Sequence, residues 1–292
     1  MAKNNYLCIL KWFMNISEIL PVCFSPTGHT KNVVCEISQH LSVLLQVPLL
    51  ECFDFTLPVL RQKYQMISLS STTLVVFGCP TYAGRIPNKI LPFIQTIFRG
   101  NLCPTISVVT FGNRNFDSSL TELSELLLQR KFQVFAASAW VCPHVFSATI
   151  AANRPNADDM LLKKQFVDAI YTKLNKAKDC SELLPPVISN HEEIKPYYTP
   201  LDINGHPAVF LKAKPVTNTE KCTKCNICAD SCPMGSVSRD NPMDVQGVCI
   251  KCHACIAKCP QHAKCFEDKN FLSHVSMLEQ YYSAPAKSEI YL

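Results

Sequence analysis

Cys222-Thr223-Lys224-Cys225-Asn226-Ile227-Cys228-Ala229-Asp230-Ser231-Cys232-Pro233 recurs as Cys249-Ile250-Lys251-Cys252-His253-Ala254-Cys255-Ile256-Ala257-Lys258-Cys259-Pro260. Each cysteine of the second copy lies 27 positions after its counterpart in the first. Both copies set three cysteines at steps of three, a fourth four residues further on, and a proline directly after it. Such self-similarity marks one structural unit built twice. These residues belong to a total of 17 cysteines in a chain of 292 residues, against only 8 glycines. A disulfide scaffold is the first alternative, but such scaffolds are small secreted domains that lack a core. Here 48% of residues are apolar and 17% charged, enough to bury a real core in one or two domains. The cysteines are therefore assigned to metal or redox chemistry.

The spacing is the C-x₂-C-x₂-C-x₃-C-P run of bacterial-type ferredoxins that hold two [4Fe–4S] clusters. Three cysteines at steps of three wrap a short loop around one iron–sulfur cube. The fourth leaves on a short helix, and the proline turns the chain away. Residues 217–267 resemble a two-cluster ferredoxin domain over their whole length. That resemblance implies crossed ligation: Cys222, Cys225, Cys228 and Cys259 for one cluster, Cys249, Cys252, Cys255 and Cys232 for the other. Zinc is the competing reading. A structural zinc site takes four ligands in two pairs and explains neither the third cysteine nor the proline. Ile227, Ile250 and Ile256 interleave the ligands, and Cys265 falls outside the pattern as a spare thiol.

Ahead of the repeat, short apolar runs alternate with amphipathic stretches. Strands are expected at Ile16–Phe24, Leu49–Phe53, Thr73–Gly78, Thr105–Phe111 and Gln133–Val141. Helices are expected at Thr30–Leu45, Asn88–Phe98, Ser118–Lys131 and Ala157–Lys176, with Pro58–Ile67 holding at most a short one. Strands separated by helices predict a doubly wound parallel five-stranded sheet, covered on both faces. Ligands of such sheets bind beyond the carboxyl ends of the strands.

Three loops follow such ends. Ser25-Pro26-Thr27-Gly28-His29-Thr30 opens into a helix, where free backbone N–H groups and the helix dipole favour a phosphate. A capped helix without a ligand is the alternative there. No P-loop lysine is present, which points to a flavin phosphate rather than a nucleoside triphosphate. Pro80-Thr81-Tyr82-Ala83-Gly84-Arg85 and Phe111-Gly112-Asn113-Arg114-Asn115-Phe116-Asp117 each pair a glycine with an aromatic ring able to stack on a planar group. The first loop resembles the flavodoxin phosphate fingerprint, and the other two look like the loops that flank the isoalloxazine of FMN. Together with the cysteine repeat, residues 14–267 resemble the flavodoxin–ferredoxin fusion family. The resemblance implies an α/β flavodoxin-like domain at 14–179 and a small α+β two-cluster ferredoxin domain at 217–267. The cofactors it implies are FMN and two [4Fe–4S] clusters. His29 and Pro26 depart from the usual fingerprint.

Residues 1–13 form an N-terminal extension, with Met14 a second candidate start. Their apolar run is interrupted by Lys11 and no cleavage site follows, which argues against a signal peptide. Pro185, Pro186, Pro196, Pro200, Pro207 and Pro215 make 180–216 a spacer. Tyr197, Tyr198, Val209, Phe210 and Leu211 are candidates to pin it; a loose tether is the alternative. Residues 268–292 are read as a tail with a short helix.

The expected role is electron transfer between clusters and FMN, with a low-potential donor or acceptor protein as partner. The alternative is reduction of a small acceptor, a quinone or nitro compound, with His144 as proton donor. An iron–sulfur redox sensor is a third class. No apolar run spans a membrane, no Lys/Arg stripe addresses nucleic acid, and no G-x-G-x-x-G offers a tight NAD(P)H site. The formal charge of +5 counts every cysteine as neutral. Two oxidised clusters at about −2 each bring it to roughly +1. The surplus thiols point to a reducing, oxygen-poor cytoplasm.

Overall fold

The structure is a computed structural model describing residues 15–188 and 193–292. The N-terminal extension at 1–13 lies outside the described residues. The first domain alternates β1 (Glu18–Cys23), α1 (His29–Leu45), β2 (Phe53–Asp54), α2 (Pro58–Lys63), β3 (Thr73–Pro80), α3 (Leu91–Ile97), β4 (Pro104–Phe111), α4 (Ser119–Gln129), β5 (Gln133–Val141) and α5 (Ala157–Lys176). β1, β3, β4 and β5 are apolar and buried almost throughout, as strands covered on both faces must be.

The five strands are parallel and lie in the order β2-β1-β3-β4-β5. That is the flavodoxin-like order, with its switch point between β1 and β3. Two apolar layers flank the sheet. Val33, Val34, Ile37 and Leu41 of α1 pack on one side with Phe166, Ile170 and Leu174 of α5. Phe55, Phe77, Phe98, Leu123, Leu127 and Phe132 fill the other, beneath α3 and α4.

Two expected elements are shorter than read. Only Phe53–Asp54 of the second strand pairs with β1, while Leu49 makes a single bridge to Ile19. The third helix starts at Leu91, with Pro92 in its first turn, and ends before Phe98. Phe98–Arg99 instead pairs with Ile67–Ser68 in a side ladder.

The ferredoxin-type segment contains β6 (Val216–Thr217), α6 (Ile227–Asp230), α7 (Ala254–Ala257) and β7 (Lys264–Cys265), with β6 and β7 antiparallel. Its continuation is no loose tail. The helix α8 (Lys269–Tyr281) leads to β8 (Glu289–Tyr291), which pairs antiparallel with β5 through Tyr291↔Ala137 and Glu289↔Ala139. The expected five-stranded sheet thus gains a sixth strand from the far end of the chain. Three residues are too few to display a strand period in sequence, whereas the open edge of β5 is a template for one. No helix among the described residues is long and apolar enough to cross a membrane.

Candidate functional site

The two cysteine loops fold as the repeat predicts. Lys224 and Lys251 both take a left-handed backbone (φ 56° and 54°), as do Asn226 and His253 (63° and 58°) and Gly235 and His262 (61° and 47°). Ser236 N–H donates to Cys232 Sγ and Ala263 N–H to Cys259 Sγ, each at 3.3 Å. All four pairs are 27 positions apart. Such kinks turn successive cysteines and amides toward a common centre, and N–H···S bonds stabilise thiolates there.

The thiols divide between two hollows. Cys222, Cys225, Cys228 and Cys259 line one, and Cys232, Cys249, Cys252 and Cys255 line the other. The fourth cysteine of each copy has therefore crossed to the other set. No three His, Cys, Asp or Glu side chains among the described residues converge closely enough for a single metal ion. The thiols ring a space instead, as four irons on separate corners of a cube require. Asn226 Oδ1 and His253 Nε2 are buried without partners, and each side chain lines one hollow. Buried polar atoms are seldom left orphaned, so the hollows fit a polar inorganic group better than an apolar one.

At the carboxyl ends of the strands lies a cavity of about 480 Å³, within the range of cofactor sites. Thr27, His29 and Thr30 form one wall, where α1 begins and its first amides lack intrahelical acceptors. Gly28, at φ 94°, is the residue before that first turn. Thr30 Oγ1 contacts Thr110 Oγ1 at 2.7 Å across the switch point. Pro80, Thr81, Tyr82 and Ala83 form a second wall. Tyr82 and Arg85 exchange backbone bonds of 2.8 and 3.1 Å around Ala83 and Gly84, both at positive φ, the geometry of a type I′ hairpin turn. Phe111, Gly112 and His144 complete the pocket. Gly112 admits the imidazole because an added Cβ would lie 2.4 Å from His144 Cδ2.

Seven of the residues expected to bind flavin do not line this cavity, and the structure gives each another place. Ser25 Oγ accepts from Lys31 N–H at 3.0 Å, bracing the start of α1, and Gly28 and Gly84 shape turns without lining the cavity. Arg85 forms a two-pronged bond to buried Glu122 (2.8 and 2.6 Å), whose Oε2 also accepts Ile86 N–H. Asn113 bonds the carbonyls of Tyr282 and Ala284 and accepts Ala286 N–H, holding the C-terminal segment. Phe116 is buried against Phe111, and Asp117 pairs with Arg114.

The structure supplies walls that sequence reading missed. The spacer is pinned beside the loops: Tyr198 N–H donates to Ala83 O at 2.8 Å, Tyr197 Oη to Ile86 O at 2.8 Å, and Lys195 N–H to Ser118 Oγ at 2.9 Å. Arg114 lies 4.0 Å over the Tyr198 ring. Tyr197, Tyr198 and Phe210 line the cavity, whereas Val209 is exposed. From the ferredoxin-type segment come Val248, Cys249, Ile250 and Lys251. Cys249 therefore belongs both to this wall and to a cysteine hollow. Burial, with Cys252 and Cys249 close by, holds the Tyr82 phenol well above its usual pKa. Arg61 bridges the domains by donating to Pro233 O, beside Cys232.

His144 is neutral. Burial, helped by His274, His253 and Arg114, pushes its pKa down to about 4. Its Nδ1 accepts Phe146 N–H at 3.2 Å, which leaves the proton on Nε2. Burial likewise lowers the pKa of His29 at the phosphate-loop wall.

Residues 214–260 match the family model described as a 4Fe-4S dicluster domain. No curated protein sequence matches the chain. Among solved structures, it is similar to a flavodoxin from the domain Archaea, at 11% identity and a TM-score of 0.34 over 54% of this chain and 98% of that one. A Streptococcus pneumoniae TIGR4 flavodoxin matches at 12% identity and a TM-score of 0.38, over 54% and 99%. Rubredoxin oxygen:oxidoreductase from Desulfovibrio gigas matches at 15% identity and a TM-score of 0.37, over 55% of this chain and 36% of that one.

Proposed function

We propose that this chain is an iron–sulfur flavoprotein that passes electrons between two [4Fe–4S] clusters and FMN. The observation that carries this reading is Cys249, one residue shared by the wall of the large cavity and the wall of a cysteine hollow. When bound, the clusters supply one-electron carriage and the flavin one- or two-electron chemistry.

The chain's own residues support an order. The hollow of Cys232, Cys249, Cys252 and Cys255 is the inner one, pressed against Tyr82 and the cavity. That of Cys222, Cys225, Cys228 and Cys259 is the outer one, where Cys225 is exposed to a low-potential protein partner. The start of α1, with Thr27 and Thr30, holds the phosphate. Tyr82 and Phe111 flank the ring, while the pinned spacer and Phe146 keep water out. Neutral His144 offers Nε2–H as a hydrogen-bond donor. Reduction of a small quinone or nitro acceptor is the second reading, and His144, which lines the cavity, is the residue on which it rests.

Anaerobic purification followed by iron, acid-labile sulfide and flavin analysis tests the assignment. About eight irons and one FMN per chain are expected; four irons, or no flavin, defeat it.

A further inference from the structure

Three thiols outside the cofactor sites meet beside the phosphate loop. Cys23 ends β1, Cys35 lies on α1, and Cys52 immediately precedes β2. Cys23 Sγ and Cys52 Sγ are 3.6 Å apart, in direct contact. Cys23 is fully buried, whereas Cys35 and Cys52 are partly open to solvent. Lys31 Nζ stands over the group, 3.3 Å from Asp54 Oδ2. Nothing in the electron-transfer reading uses these residues.

Their environment separates them chemically. Contact with Cys23, together with Cys35 and the Lys31 ammonium, outweighs burial and holds Cys52 below the ordinary thiol pKa. The same contact and its burial keep Cys23 protonated far above that range. Burial pushes Cys35 up to about 12. A partly exposed sulfur beside a cation, touching a second, buried thiol, is the arrangement of a reactive and resolving pair.

We propose that Cys52 and Cys23 form a dithiol site oxidised by hydroperoxides. The Cys52 sulfur attacks one peroxide oxygen, the O–O bond breaks, and hydroxide leaves as Cys52 becomes a sulfenic acid. Cys23 sulfur then attacks Cys52 sulfur; the S–O bond breaks and water leaves with the Cys23 proton. Two thiols lose two electrons and two protons, and one hydrogen peroxide becomes two waters. Closing the contact from 3.6 Å to a bond of about 2.05 Å is a short movement. The resolving thiol is inside the fold, so solvent access is needed at Cys52 alone.

The test treats the full-length protein, cofactors retained, with a small excess of hydrogen peroxide. Remaining thiols are then blocked with N-ethylmaleimide in denaturant and tryptic peptides are mapped. The expected product joins peptide 12–31 to peptide 32–61, about 2 Da lighter than their sum, with fragmentation placing the bond between Cys23 and Cys52. The link persists in Cys35→Ser and vanishes in Cys52→Ser. Recovery of Cys52 as its maleimide adduct after treatment, or bonded to Cys35, overturns the proposal. Cluster loss under peroxide frees cysteines only in other peptides, so failure of the cluster assignment cannot imitate either result.

Discussion

The two copies of the cysteine loop share a backbone and differ in everything that touches it. Each kinks at matching left-handed residues and bonds its fourth cysteine from a matching amide. Yet Cys225 of the first copy is exposed and Cys252 of the second is buried. The second copy is roofed by aromatic rings, Phe146 from the loop after β5, Phe266 from just after β7 and Phe271 from α8. His253 lies 4.9 Å from Phe146 and 5.7 Å from Phe271, and stacks at 5.1 Å on Phe266. Ligand spacing therefore sets the local chain path, while the rest of the fold decides whether the same path faces a partner or a cofactor.

The largest test breaks each copy in turn. Cys252→Ser and Cys225→Ser should each remove about four of eight irons. Their effects on flavin should nevertheless differ. Without the inner cluster, flavin reduction after flash photoreduction of the outer cluster should fall below detection. Without the outer one, it should persist from the inner cluster, with transfer from a protein donor lost instead. Equal slowing in both variants would erase the distinction between inner and outer.

The same contrast explains what was legible in sequence. Cluster-binding loops carry a fixed run of cysteines, so Cys222 through Cys259 stood out by their spacing, and the crossed assignment followed from the resemblance to two-cluster ferredoxins. A flavin cavity is made by backbone and shape, which many residues provide. Its three loops were legible because strand ends in an alternating α/β chain must converge. Arg85 and Asn113 show the ambiguity: a polar residue in a loop looks the same in sequence whether it faces a ligand, a buried Glu122 or the returning C-terminus. Tyr197, Phe210 and Cys249 come from distant sequence, and nothing in their patterns announces that they line this cavity. Nor did the three residues of β8 carry a pattern.

On the roofed side, Gly112→Ala should cost about 3 kcal/mol, the upper end for overpacking. Its Cβ would meet His144 Cδ2 at 2.4 Å and His144 Cα at 3.0 Å, and backbone yields little. A lower thermal midpoint with looser flavin retention, and unchanged iron content, is the expected pattern. If iron falls in step with flavin, the two domains share one cooperative unit and the contrast between them weakens.

Acid should act on the same junction. The pKa of His144 is lowered by burial and by His274, His253 and Arg114 around it, and that of His274 is also lowered, chiefly by burial. A folded-state pKa below the unfolded value of about 6.5 means that the neutral imidazole is the stabilising form. Its contribution is complete above pH 6.5 and is lost as pH falls toward about 4. For His144 the full loss is about 3 kcal/mol. Thermal midpoints of the wild type and His144→Gln should converge over that window; parallel curves would remove the imidazole from the account.

The smallest effect comes from exchanging the one position where the copies most differ. Asparagine tolerates the left-handed backbone better than histidine, so His253→Asn gains a few tenths of a kcal/mol locally. It forfeits ring contacts worth about 0.5–1.5 kcal/mol each, and packing should win by about 1 kcal/mol. Asn226→His, in the copy without an aromatic roof, has no such contacts to gain and pays only the backbone term. Chemical denaturation of both variants should therefore show the clearly larger loss in His253→Asn. A comparable loss in Asn226→His would mean that the outer loop is as tightly enclosed as the inner one.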